Sequence, residues 1–412
     1  MRKYLIISLL ASYSIVFAGE SEDFKAVDNL YKERNFKTAL TESEKFLQKY
    51  PESKHQKSMR DKVAKIYFLE KNYKKAEELF KKLFTMEEKQ SQKEEYASYL
   101  ARANALLNNS NSAMFYLREI KDEKTFQKTF FAVAQDFLAK ENNEAAKKAY
   151  TEIINNKYEN YKESMMGLGI VYYNLKDYDK AIYWLSEFSK AMPNENKEMV
   201  SYLRASAIYR KGSTDEAIKY FEELANMTPA SEYSRKAALY LIEIYSNRKD
   251  EAKVRFYLEK LKGTKEYNTA MTMIGDLYVT KENYEKALDY YNQSNDKNNP
   301  KLIYGEAYSL YKKGKYEEAL KKFQSLKNSD YYNQSIYHIF AINYKLKNFD
   351  EIIRNREIIR KVVVSQVDTD NIIRIIANSA YQVGNYKLAK DYYGRLFAVS
   401  PDKENLFRVI LL

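Results

Sequence analysis

A small residue returns about every 35 positions along this chain, and no other feature limits its fold so tightly. The series is Ala39, Ala76, Ala113, Ala146, Ala181, Ala217, Ala252, Ala287, Ala319 and Ala389, with Ile352 in the one remaining place. Four residues further on stand Phe80, Leu117, Tyr150, Leu185, Phe221, Phe256, Tyr291, Phe323 and Tyr393; only Ser43 and Arg356 break that column. Seven residues on, the apolar column runs Phe46, Leu83, Ile120, Ile153, Phe188, Leu224, Leu326, Ile359 and Leu396. This spacing lays one apolar stripe along an α-helix. Twelve residues before the anchor, small residues recur at Ala64, Ala101, Ala134, Gly169, Ala205, Gly275, Ala307 and Ala377. Two helices per period are therefore expected, stacked into an array in which each pair packs on its neighbours.

Two small residues, one on each helix, allow close approach. Aromatics three residues before the anchor (Phe36, Tyr73, Tyr178, Tyr284, Tyr316, Phe349 and Tyr386) fill the space beside them. Pro51, Pro193, Pro229 and Pro401 share one phase, twelve residues after the anchor, and Pro300 falls one place late. Proline there stops the second helix, because it lacks an N–H and clashes with the preceding turn. Tetrads such as Lys71-Asn72-Tyr73-Lys74 are the turns between helices.

This set of columns resembles the tetratricopeptide repeat over roughly residues 22–401. The resemblance implies an all-α fold, an α-α superhelix of about eleven helix-turn-helix units. The first two units, with Lys49-Tyr50-Pro51-Glu52-Ser53 between them, are similar to the subclass found in bacterial cell-envelope proteins. Examples are the outer-membrane assembly lipoproteins and the coordinator of the Tol–Pal system. The chain has no cysteine, so it departs from those lipoproteins and has no N-terminal thiol to acylate. A partner would have to hold it at a membrane.

Residues 1–18 do not fit the repeat. Arg2 and Lys3 precede an apolar run from Tyr4 to Phe17, and Ala18 then precedes Gly19. That pattern is a signal peptide, and it implies an exported protein, periplasmic or associated with an outer membrane. An uncleaved anchor is the alternative, but the run is short of the roughly 20 residues that span a bilayer. The array then covers residues 19–401. Residues 402–412 are expected to form a capping helix that packs Leu406, Phe407, Ile410 and Leu411 on the last unit, or else an apolar patch pairing two copies. The third unit, with Asn108 to Ser112 in its turn, lacks the aromatic. The tenth is the most disturbed: Ile352 replaces alanine and should push its helices apart, Arg356 replaces the aromatic, and Lys361-Val362-Val363-Val364 follows. It is either a joint in the array or a tolerated deviation.

Net charge is +12, from 69 basic and 57 acidic residues. An excess of this sign favours anionic envelope surfaces and polymers, whereas interspersed charges also serve solubility alone. Nucleic acid is not expected, since no binding motif is present. Without cysteine there is no disulfide, thiolate metal site or cysteine nucleophile. His55 and His338 stand on different units, and neither a P-loop nor a Gly-rich dinucleotide fingerprint occurs. The expectation is a non-catalytic chain with no cofactor and no metal.

The family resemblance puts the first helix of each unit on the concave side, with inward positions about eight, eleven and fifteen residues before the anchor. Those positions, with one near neighbour, hold Tyr173, Tyr202, Tyr209, Tyr304, Tyr308, Tyr311, Tyr337, Tyr344 and Tyr381. Charged neighbours are Arg102, Arg210, Lys312 and Arg374. Tyrosine offers apolar area at small entropic cost and a hydroxyl that can bond a peptide backbone. Such a groove suits a protein or peptide segment; half-buried packing is the plainer role. The Lys and Asn clamp by which some family members grip a C-terminal carboxylate is missing. The leading function is an exported scaffold that assembles or coordinates an envelope complex. The alternatives are a secreted or surface-associated protein that binds host molecules or anionic polymers, and a wall-associated enzyme. Oligomeric state is left open.

Overall fold

A computed structural model describes residues 19–399, of which the Val399 side chain is not described. The expected leader, residues 1–18, and the expected cap, residues 402–412, lie outside these residues. Among the described residues there are eleven helix pairs and no strand, from 20–32 with 36–49 to 366–382 with 386–399. This is the all-α repeat array that the columns imply. The chain divides into two compact parts, residues 1–217 and 218–412. Within each part, helices pack on their sequence neighbours, and first helices also contact the first helix of the next repeat.

The anchors are buried as expected, including Ala39, Ala76, Ala113, Ala146, Ala181, Ala217, Ala287, Ala319 and Ala389, all at 0% exposure. The seventh repeat corrects the register. Ala252 is exposed, and so is Phe256, at 51%. Val254 and Leu258 take the buried places, followed by Leu261. The reason is the capping residue. Asp250 accepts the Lys253 N–H, and the anchor lies four residues after the cap, as Ala76 does after Asn72 and Ala181 after Asp177.

Each turn carries a residue in the left-handed region five places before its anchor. The series is Arg34, Lys71, Asn108, Glu141, Lys176, Gly212, Lys249, Glu282, Gly314, Lys347 and Gly384. At Lys176 the following N–H, of Asp177, bonds back to the Tyr172 carbonyl at 2.9 Å, and the Lys176 N–H bonds to Tyr173 at 3.1 Å. This is the Schellman closure of a helix, which favours glycine. Lys176→Gly is expected to raise stability by about 1 kcal/mol, since a β-carbon is penalised at φ 62°. An unchanged or lowered denaturation midpoint would count against that assignment.

The aromatics before the anchors open the second helices. Six of the seven pack against an aromatic five residues back: Tyr31–Phe36, Phe68–Tyr73, Tyr173–Tyr178, Tyr311–Tyr316, Tyr344–Phe349 and Tyr381–Tyr386, at centroid distances of 5.5 to 6.0 Å; Tyr284 meets Tyr308 of the next repeat instead, at 6.3 Å. The ring pair clasps the turn. Pro300 does not stop a helix; it is the first residue of 300–312, where its missing N–H costs nothing.

The tenth repeat departs from the others. Its second helix stops after six residues, 349–354, and a short 3-10 segment, 356–360, follows. Ile352 and Phe340, both buried in one apolar cluster, stand where most other repeats place two small residues. A cleft of about 210 Å3 lies beside them, bounded by Ile336, Asn343 and Ile358.

Candidate functional site

In the second part, the first helices of repeats nine and ten, 300–312 and 332–345, bring four of the sequence-selected tyrosines around one histidine. His338 stacks on Phe323 at 5.0 Å and 13°. Tyr308, Tyr311 and Tyr337 lie at 5.5, 5.3 and 5.3 Å from its ring. The Tyr304 hydroxyl meets His338 Nε2 at 3.5 Å, and the Tyr304 ring packs on Phe323 and Tyr331 at 5.6 Å each. Lys312 reaches over the Tyr308 ring at 5.5 Å.

Helical spacing explains the assembly. Tyr304, Tyr308 and Tyr311 fall on one face of a helix at i, i+4 and i+7. Tyr337 and His338 hold the matching level of the next helix. Phe323 anchors the base from the second helix of repeat nine, where it is fully buried.

Burial sets the electrostatics. His338 Nδ1 is buried and makes no hydrogen bond with the protein. Desolvation pushes the imidazole down to about 4, with Asp368 opposing and Lys312 reinforcing the shift. The ring is thus neutral near pH 7. Burial also raises the hydroxyls of Tyr304 and Tyr311 above the ordinary tyrosine value. The patch consequently offers neutral aromatic surface with one cation at its rim.

The other sequence-selected residues are placed differently. Tyr344 and Tyr381 clasp their own turns through Phe349 and Tyr386, although Tyr381 remains 49% exposed. Arg374 is partly buried on the first helix of repeat eleven. In the first part, Arg210 donates to the Tyr173 hydroxyl at 2.9 Å and lies over its ring. Tyr202 and Tyr209 are half-buried on 197–210. Arg102 forms a two-bond pair with Asp136 at 2.8 and 3.2 Å and covers Phe68, so it ties repeat three to repeat four. The patch members that sequence reasoning missed are His338, Phe323 and Tyr331. Their signal was the aromatic density of Tyr331-Tyr332 and Tyr337-His338 one repeat below Tyr304.

Among the described residues, no group of three or more His, Cys, Asp or Glu could hold a metal ion. No described helix is long and apolar enough to cross a membrane.

Two family profiles, both described as tetratricopeptide repeat, match residues 143–330 and 62–90. No curated protein matches the chain. Among solved structures it is similar to yeast Tom70, at 12% identity and TM-score 0.36, covering 95% of this chain and 94% of that one. It is also similar to a tetratricopeptide repeat protein from Parabacteroides merdae, at 10% identity and TM-score 0.39, covering 71% of this chain and 98% of that one. A third is PilW, a type IV pilus biogenesis factor, at 14% identity and TM-score 0.38, covering 53% and 97%. At these values none of them says what this chain binds.

Proposed function

We propose, from the premise that this chain is a tetratricopeptide-repeat protein, that it is an exported, non-catalytic scaffold that holds a partner polypeptide against its first helices. The observation that carries this reading is the patch around His338. Tyr308, Tyr311 and Tyr337 are half-buried, not fully buried, and they belong to consecutive repeats. They form one aromatic surface with a cation at the edge. Rigid aromatic area of this kind gives binding energy at little entropic cost. The leader-like residues 1–18 support a place in the cell envelope, and there the scaffold would assemble or coordinate a complex.

A photoreactive residue introduced at Tyr337 in the full chain should capture one polypeptide in the cells of origin. The same residue at the exposed Tyr183, on a second helix, should not capture it. In the chain that carries the probe at 337, Tyr308→Glu with Tyr311→Glu should abolish the capture and leave helicity intact. Equal capture from both positions, or capture that survives the double variant, overturns the groove. The chain should fractionate with the envelope and begin after Ala18. A cytosolic chain that retains residues 1–18 overturns the exported half of the reading.

A further inference from the structure

A second cleft, of about 440 Å3, lies between repeats seven and eight and shares no residue with the His338 patch. Val254, where most repeats carry alanine, forms its floor with Ile274 and Leu277. Tyr278 and Tyr290 form one wall, stacked at 5.5 Å and 13°.

The charges at this cleft are unbalanced. Lys249, Arg255, Lys281 and Lys286 line it, against the single carboxylate of Glu251. Arg255 and Lys286 share that carboxylate, each at 3.7 Å, too far for a hydrogen bond. Lys281 makes no ion pair among the described residues and reaches the Ser246 carbonyl at 3.5 Å. Lys281 and Lys286 both lie over the Tyr278 ring, at 5.8 and 5.2 Å. The Lys249 ammonium makes no ion pair among the described residues. It is held at the cleft by the left-handed turn it occupies. By contrast, two other lysines of this part have close carboxylates, Lys301 with Asp276 at 2.9 Å and Lys253 with Glu222 at 2.9 Å.

We infer that this cleft binds a small organic anion with an aromatic body. Its anionic group would meet the cations that Glu251 leaves uncompensated, and its ring would pack on Tyr290 and the aliphatic floor. The volume falls in the range of small-ligand sites, roughly 300–1,000 Å3. Cations gathered over apolar walls hold an anion more strongly than the same cations dispersed in water.

The test is titration calorimetry on the full chain with phenyl phosphate and, separately, inorganic phosphate. Phenyl phosphate should bind saturably and weaken as salt rises. The variant Lys249→Gln with Lys286→Gln should bind about tenfold more weakly and keep its circular dichroism, because both side chains lie at the surface. Tyr290→Leu should weaken phenyl phosphate alone. Absent saturation, or affinity unchanged by the lysine variant, overturns the site. Inorganic phosphate binding as tightly as phenyl phosphate overturns the aromatic assignment.

Discussion

Gly305→Ala is expected to destabilise the second part by about 1–3 kcal/mol, although alanine is the better helix former. A β-carbon at Gly305 would stand 2.4 Å from the Tyr291 hydroxyl and 2.5 Å from Cζ. One at Gly275 would stand 2.4 Å from Cε1 of the same ring. The two glycines, on the first helices of repeats eight and nine, thus enclose Tyr291. The ring is fully buried. Its hydroxyl donates to Asp276 Oδ1 at 2.6 Å, and Asp276 is held in turn by Lys301 at 2.9 Å. Moving the ring would break that part-buried bond. If there were room, glycine to alanine in mid-helix should stabilise by about 1 kcal/mol, so the sign of the change is decisive. Thermal and urea denaturation of Gly305→Ala and Gly275→Ala measure it. Adding Tyr291→Leu removes the clashing atoms, so the double variants should cost less than the sum of the singles. A stabilised Gly305→Ala protein would mean that the helices stand further apart than described.

The fold was legible because backbone geometry forces the periodicity: 3.6 residues per turn, two helices and two turns per unit. That is why Ala64, Ala181 and Phe323 could be placed in the core from their phase alone. Repeat seven was misplaced by two residues because Ala252 looks like an anchor, while Asp250, the actual marker, resembles any exposed acid. Its left-handed Lys249 gave no warning, since a lysine there carries no signature that glycine would. Ile352 marks the disturbed repeat in the sequence, but isoleucine in place of alanine did not predict the form the change takes, a second helix shortened to 349–354. The site was less legible. Single-helix spacing grouped Tyr304, Tyr308 and Tyr311, but the same rule also admitted Tyr344 and Tyr381, which clasp their turns as Tyr311 does without its contact to His338. The role of His338 depends on rings from positions 304 to 337, contacts across repeats that spacing along one helix cannot express.

The stability of the second part should fall as pH drops from about 6.5 to about 4, and His338 should account for about 3 kcal/mol of that loss. In the unfolded chain the imidazole binds a proton near its ordinary value of 6.5; in the folded protein burial lowers it to about 4. Between these values the unfolded state carries more protons, so stability rises with pH through the window. The contribution is complete above about 6.5 and is lost as pH falls through about 4. The cause is structural: a charged ring would sit against Phe323 with Nδ1 unbonded, and among the described residues the anion acting on it is Asp368, opposed by Lys312. His338→Phe keeps the stacking and removes the titrating group. It should come close to the parent near pH 7, because replacing the unbonded Nδ1 by carbon offsets the loss of the long 3.5 Å contact between Nε2 and the Tyr304 hydroxyl. Carboxylates titrate in both proteins, so the difference between the two urea profiles isolates the histidine. Parallel profiles from pH 7 to pH 4 would show that the ring is solvated, and the aromatic enclosure drawn around it would fail with that result.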